Sequence, residues 1–169
     1  SSQIGMAQAQ LRSGEIDLSA DTLTVEEAGN VIRAEGNVEI KREDAFLRAD
    51  TVRVNQAKQE VEAKGKVSIV DPEWKLKADY LRMDLREERG EIEQGEVFIE
   101  KGHISLFGRR FEKLTGQAYH IDDGSFTTCL CESGIPTWQI KAREIGLSRD
   151  GEGFLKGGTF HIRDVPILY

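Results

Sequence analysis

Apolar and polar residues alternate through most of this chain, and the alternation comes in copies. Leu18-Ser19-Ala20-Asp21-Thr22-Leu23-Thr24-Val25, Leu47-Arg48-Ala49-Asp50-Thr51-Val52-Arg53-Val54 and Leu76-Lys77-Ala78-Asp79-Tyr80-Leu81-Arg82-Met83 share one form, aliphatic-x-Ala-Asp-x-aliphatic-x-aliphatic, and start 29 residues apart. Worn copies begin at Leu106, with Gly108 in the Ala slot, and at Ile140. Between them run Gly36-Asn37-Val38-Glu39-Ile40, Gly65-Lys66-Val67-Ser68-Ile69 and Gly95-Glu96-Val97-Phe98-Ile99, with looser Gly-led segments at Gly124 and Gly158. A period of two marks strands with one buried face, and the helical period of 3.6 is missing. Polar links such as Glu27-Ala28-Gly29-Asn30, Asn55-Gln56-Ala57-Lys58 and Glu87-Glu88-Arg89-Gly90 read as turns. The pattern predicts an all-β chain of about fourteen to sixteen short strands.

Within each copy the phase slips by one residue. Leu47 and Ala49 share one parity, Val52 and Val54 the other. A bulge or corner at the Ala-Asp step restores a common buried face, and a small residue there lets backbones approach. One repeat cannot bury its own apolar face, so the repeats are expected to stack. Alternation assigns the inward face to Val38, Ile40, Val52, Val54, Val67, Ile69, Leu81, Met83, Val97, Ile99, Phe111, Ile145, Leu147, Phe160 and Ile162. From the residues alone these could equally fill a dry core. A stack also leaves unpaired end strands, which are templates for strand addition. The expected partner edge is the first motif strand, carrying Ile16, Leu18, Leu23 and Val25.

Composition narrows the function. The chain has 169 residues, enough for one domain and its own core. Its 23 basic and 30 acidic residues leave a net charge of −7, which argues against a nucleic-acid binder. No run approaches the ~18 apolar residues of a membrane-crossing helix. The opening SSQIGMAQAQ is small, polar and free of acidic residues, so residues 1–13 read as a flexible lead-in and 14–169 as the domain. No cofactor or metal is expected: His103, His120 and His161 lack metal-ligand spacing, and Gly151-Glu152-Gly153 opens no helix. A nucleophile elbow is missing too. Asp50, Asp79 and Glu144 recur at equivalent corners, where one catalytic site would need a single pair, so the chain is not read as an enzyme. Cys129 and Cys131 lie at i and i+2 on one strand face. A bridge between them would be strained, and in an oxidising compartment a disulfide to a distant segment is the more natural alternative.

The A-D-x-[LV]-x-[VM] and G-x-V-x-I repeats resemble the OstA-like lipopolysaccharide (LPS) transport family over roughly Gly14 to Tyr169. Phe126-Thr127-Thr128-Cys129-Leu130-Cys131, Trp138-Gln139-Ile140 and Val165-Pro166-Ile167-Leu168-Tyr169 are similar to the N-terminal periplasmic domains that precede an outer-membrane barrel in that family. The resemblance implies an open, V-shaped β-jellyroll whose inward residues hold LPS acyl chains. It implies edge-to-edge docking onto a periplasmic bridge protein, and delivery to an outer-membrane barrel with its lipoprotein plug. It places the chain at the periplasmic face of a Gram-negative outer membrane, and pairs Cys129 or Cys131 with a cysteine of the barrel. The barrel would follow Tyr169, so the chain is an excised domain or a stand-alone relative. A family-typical Cys near the N-terminus is missing. The remaining alternatives are a stand-alone periplasmic bridge protein, a β-solenoid polysaccharide-active enzyme, and a β-stack with a filled core.

Recognition is expected to be apolar. Each methylene withdrawn from water contributes ~0.8 kcal/mol, so a dozen-carbon chain gains at most about 10 kcal/mol. Lys41, Arg42, Arg109 and Arg110 could contact anionic head groups, but read more simply as solvated turn and edge charges.

Overall fold

The three clear copies of the Ala-Asp motif each lie inside one long strand, and the pairing register shifts at each Ala-Asp step. The computed structural model describes residues 2–13, 16–114, 118–128, 136–148, 150 and 152–168, with side chains from Asp17 to Ile167 among them. Among the described residues thirteen strands follow in chain order: β1 Ser2–Ser13, β2 Ile16–Glu26, β3 Val31–Arg42, β4 Ala45–Asn55, β5 Glu60–Val70, β6 Trp74–Asp84, β7 Arg89–Ile99, β8 Ile104–Leu114, β9 Ala118–Thr127, β10 Trp138–Leu147, β11 Gly153–Lys156, β12 Thr159–Ile162 and β13 Val165–Leu168. They form one antiparallel sheet in the order β1 to β10, then β12 and β13, with β11 also on β10. Strands β1 to β10 are 10 to 12 residues long. The expected breaks between short strands are corners inside long ones, because backbone pairing resumes on both sides of each bend.

The corner is built from the two motifs together. On β3, Gly36 and Asn37 have φ of +78° and +46°; on β5, Gly65 and Lys66 have +77° and +46°. This left-handed pair inserts one extra residue, so Ser19↔Glu39 is followed by Thr22↔Glu35, and Arg48↔Ser68 by Thr51↔Lys64. The Asp of the Ala-Asp step lies over the glycine of the next strand. A methyl at Gly36 would run into the Asp21 carboxylate, and one at Gly65 into that of Asp50. Asn37 Nδ2 donates to Asp21 Oδ2 at 2.9 Å. Glycine is needed there twice over, for the positive φ and for the space.

Bending folds the sheet over itself, and the inward faces of its two arms share a core. Leu18 and Leu23 of β2, Ala34 and Val38 of β3, Ala49 and Val52 of β4, and Ala63 and Val67 of β5 come from opposite sides of their corners and belong to one buried cluster. A smaller cluster of Ile121, Ala142 and Ile145, with Phe111 against it, continues the interior at β8 to β10. Among the described residues each strand contacts only its sheet neighbours, so the fold is nearly one-dimensional.

Strand β2 is not an edge. Strand β1, lying in the segment that composition set apart, pairs along it from Ser13↔Ile16 to Ser2↔Val25. Ile16, Leu18, Leu23 and Val25 are therefore flanked on both sides, and Leu18 and Leu23 are core residues. The free edge lies one strand further out.

On the outer face, Tyr80 Oη donates to Glu62 Oε2 at 2.8 Å and Lys64 Nζ lies 3.2 Å from Glu62 Oε1. Burial alone would raise the Glu62 carboxyl, but the Tyr80 and Lys64 contacts outweigh it and hold it below its ordinary value. Partial burial and then the Glu62 contact push Tyr80 up to about 12.

Two outcomes follow. Gly65→Ala should cost at least ~2 kcal/mol, since the left-handed backbone alone costs ~1–2 kcal/mol for a side-chain-bearing residue and Asp50 must also move. A denaturation midpoint equal to the parent's would refute the corner assignment. Because Tyr80 is raised in the folded chain, its stabilising contribution is complete below pH 10.0 and is lost as pH climbs through about 12. Ultraviolet difference titration should show a late-ionising tyrosine that reverts towards its ordinary value in Glu62→Gln.

Candidate functional site

The interior changes character along the sheet. At the corner slot facing the Ala of each Ala-Asp step, β3 and β5 place Val38 and Val67, opposite Ala49 and Ala78. Strands β7 and β9 place Gly95 and Gly124 there, both opposite Gly108. The next slot on the other arm changes the opposite way, with Ala34 and Ala63 giving way to Ile92 and Ile121. Register therefore separates Gly95-Glu96-Val97 from Gly36-Asn37-Val38, although both fit the same G-x-V motif. Val97 sits between Leu76 and Leu106, in the row of Ile69 and not in that of Val38. The cause is the missing bulge: Lys77↔Glu96 is followed by Tyr80↔Glu93 without a register shift.

Where bulk is redistributed the arms part. A cavity of about 450 Å³ opens between them over β5 to β10, within the ~300–1,000 Å³ usual for ligand pockets. One wall is the rung Ile69–Leu76–Val97–Leu106, with Trp74 paired to Ile99 beside it. The other is the rung Leu81–Ile92–Phe111–Ile121. The rim is Met83–Gly90–Lys113–Tyr119–Leu147. Met83, Tyr119 and Leu147 are 37%, 45% and 42% exposed, so apolar side chains line the mouth in water. Such exposure is costly unless something covers it.

Of the residues assigned inward by alternation, Ile69, Leu81, Met83, Val97, Ile99, Phe111 and Leu147 line this cavity. Val38, Val52 and Val67 are each 1% exposed and fill the closed end of the interior. Ile40 and Val54 pack against that closed core, and Ile145 belongs to the second cluster. Phe160 stacks on Trp138 with ring centroids 6.3 Å apart, and Ile162 at the end of β12 is exposed. The inward list thus divides between packing residues and cavity residues. Trp74, Leu76, Ile92, Leu106, Tyr119 and Ile121 complete the large apolar part of the lining, which Arg82, Gly90, Glu91 and Lys113 share, and none of these ten is on the inward list. Parity would have found Leu76 and Leu106, the opening aliphatics of their repeats. Ile92, Tyr119 and Ile121 lie outside both motifs.

Most of the basic side chains near the cavity or at the candidate head-group positions hold partners of their own. Arg110 pairs with Glu91 at 3.0 Å and with Glu112, and Arg82 pairs with Glu60 at 3.2 Å, a contact that raises the guanidinium further above its ordinary value. Arg109 pairs with Asp123 at 2.8 Å, and Lys41 lies 5.3 Å from the Phe46 ring centroid. Each of these cations has an intramolecular partner. Lys113 shares both the apolar cavity and a neighbouring polar recess with Arg82, Arg89, Asp84 and Glu112. What the arrangement can do is cover a flexible apolar chain between two walls and leave a polar end at the rim. Cys129 and Cys131 lie outside the described residues.

The cavity sits on a fold with known relatives. The crystal structure of LptH, the LptA-homologous periplasmic component of the lipopolysaccharide transport device of Pseudomonas aeruginosa, superposes with a TM-score of 0.53 at 19% identity, over 63% of this chain and 81% of that one. That likeness establishes the jellyroll architecture. The LPS-assembly protein LptD of Azoarcus sp. is 30% identical over 98% of this chain and 18% of its own length, and that of Aromatoleum aromaticum 24% identical over 98% and 19%. LptD of Alkalilimnicola ehrlichii is 34% identical over 50% of this chain and 11% of its own length. The chain thus spans less than a fifth of these curated relatives. The family described as LptA/(LptD N-terminal domain) LPS transport protein matches residues 17–110, more than half of the sequence, and the chain belongs to that family.

Proposed function

We propose that this chain is a non-enzymatic LPS-binding domain that takes the acyl chains of LPS between its two arms and passes them on towards an outer-membrane barrel. The cavity over β5 to β10 carries the reading. Its walls are apolar on both sides, its mouth exposes Met83, Tyr119 and Leu147, and the family to which the chain belongs transports LPS. Burial of acyl methylenes, at ~0.8 kcal/mol each, supplies the binding energy. A cavity open along one side withdraws only part of a chain from water. That moderates affinity, as onward transfer requires.

Residues 14–169 are proposed as the lipid-handling jellyroll, with β1 of the preceding segment laid along its edge. The proposed setting is the periplasmic face of a Gram-negative outer membrane. There the outer edge of β1 would accept a strand from a periplasmic bridge protein, and the barrel and its lipoprotein partner would receive the lipid. One of Cys129 and Cys131 is proposed to bridge to the barrel.

A photo-crosslinking residue at Leu106, inside the cavity, should give LPS adducts, whereas one at the outward neighbour Glu96 should give few. Equal labelling at both, or none at Leu106 in a folded chain, overturns the lipid reading and leaves a β-stack with a ligand-free interior. Docking has its own test. Successive strand N–H groups point to opposite edges, so proline at both Gln10 and Leu11 removes an outward donor of β1. Capture of a purified bridge protein should fall severalfold while adducts at Leu106 persist; unchanged capture assigns docking to another edge.

A further inference from the structure

We propose that Phe111 sets the depth of the cavity, and with it the acyl-chain length the domain accepts, and that Gly95 and Gly108 act by giving its ring a place to lie. This inference rests on the lipid reading above. Gly95 and Gly108 pair directly across β7 and β8, and neither has the positive φ that would demand glycine. Space is what requires them. A methyl on Gly95 would stand 2.6 Å from Phe111 Cε2, and one on Gly108 2.8 Å from the same atom. Real side chains do not approach so closely, so the ring lies flat over two bare backbones at the corner.

The neighbourhood leaves the ring one direction of escape. Ile92 and Ile121 flank Phe111 on its own rung, and a methyl at Gly108 would meet Ile121 Cγ2 first, at 2.5 Å. Towards the corner lies backbone, and away from it lies the cavity that Phe111 already lines. In the closed half of the sheet the equivalent slots hold Val52 below Val38 and Val67, and no aromatic ring has to be housed there. The exchange of Val and Ala for Gly and Ile thus recesses a large side chain and keeps the groove deep between β6 and β9.

Calorimetric titration with free fatty acids of graded chain length tests this on the full chain. Gly95→Ala, whose methyl meets Phe111 before any other side chain, should turn the ring into the cavity and weaken binding of dodecanoic acid about tenfold, the effect of denying burial to roughly two methylene groups. Phe111→Leu should move the preferred chain to a longer one. Gly95→Ala combined with Phe111→Leu should recover dodecanoic acid binding, and that rescue is the result a merely unfolded variant cannot give. If the parent binds the acid and Gly95→Ala binds it equally, or the double variant is no better than Gly95→Ala alone, the role of Phe111 is overturned and the lipid reading stands. If the parent binds no fatty acid of any length, both fall together.

Discussion

The dimension that governs this molecule is the space between the two arms of one bent sheet. Each strand must turn a corner without losing its pairing, and the corner brings backbones from both arms close together. Side-chain volume at the bend then decides whether the arms close or part. Val38 with Ala49 and Val67 with Ala78 close them to a dry seam, as tight as a protein interior requires. Gly95, Gly108 and Gly124 remove that bulk, and Ile92, Phe111 and Ile121 restore it one rung further along the other arm. A groove results where the redistribution occurs.

On the proposed lipid reading, binding energy would come from surface withdrawn from water, because most basic side chains nearby hold intramolecular partners. Arg110, Arg82 and Arg109 each hold a carboxylate, and exposed pairs of that kind contribute little to stability. A chain with net charge −7 has no long-range attraction for anionic lipid. On that reading, selection of cargo would fall to the shape and depth of the apolar walls.

Stability and access are divided along the sheet for the same reason. The tightly filled rungs begin at β2 and run into β6, and the cavity lies over β5 to β10. Among the described residues close backbone approaches run only between neighbouring strands, so each half can hold its own interior width without forcing it on the other. The closed half is a support for the open one.

Alternation, the 29-residue repeat and the small residue before each Asp were enough to establish an all-β stack with corners and its inward parity, because side-chain direction in a strand follows the count of residues. Counting could not say which inward residues face one another. Val97 and Val38 carry the same letter in the same motif, yet one lines the cavity and the other is sealed in the core. A single bulge, present in β3 and β5 and missing in β7, shifts the register between them. Likewise the letters of Ile16 to Val25 were read as an edge, and only the pairing of β1 showed that strand to be interior. Parity is local and readable along the chain. Register and the width between arms are set by partners distant in sequence, so the tertiary structure alone decided them.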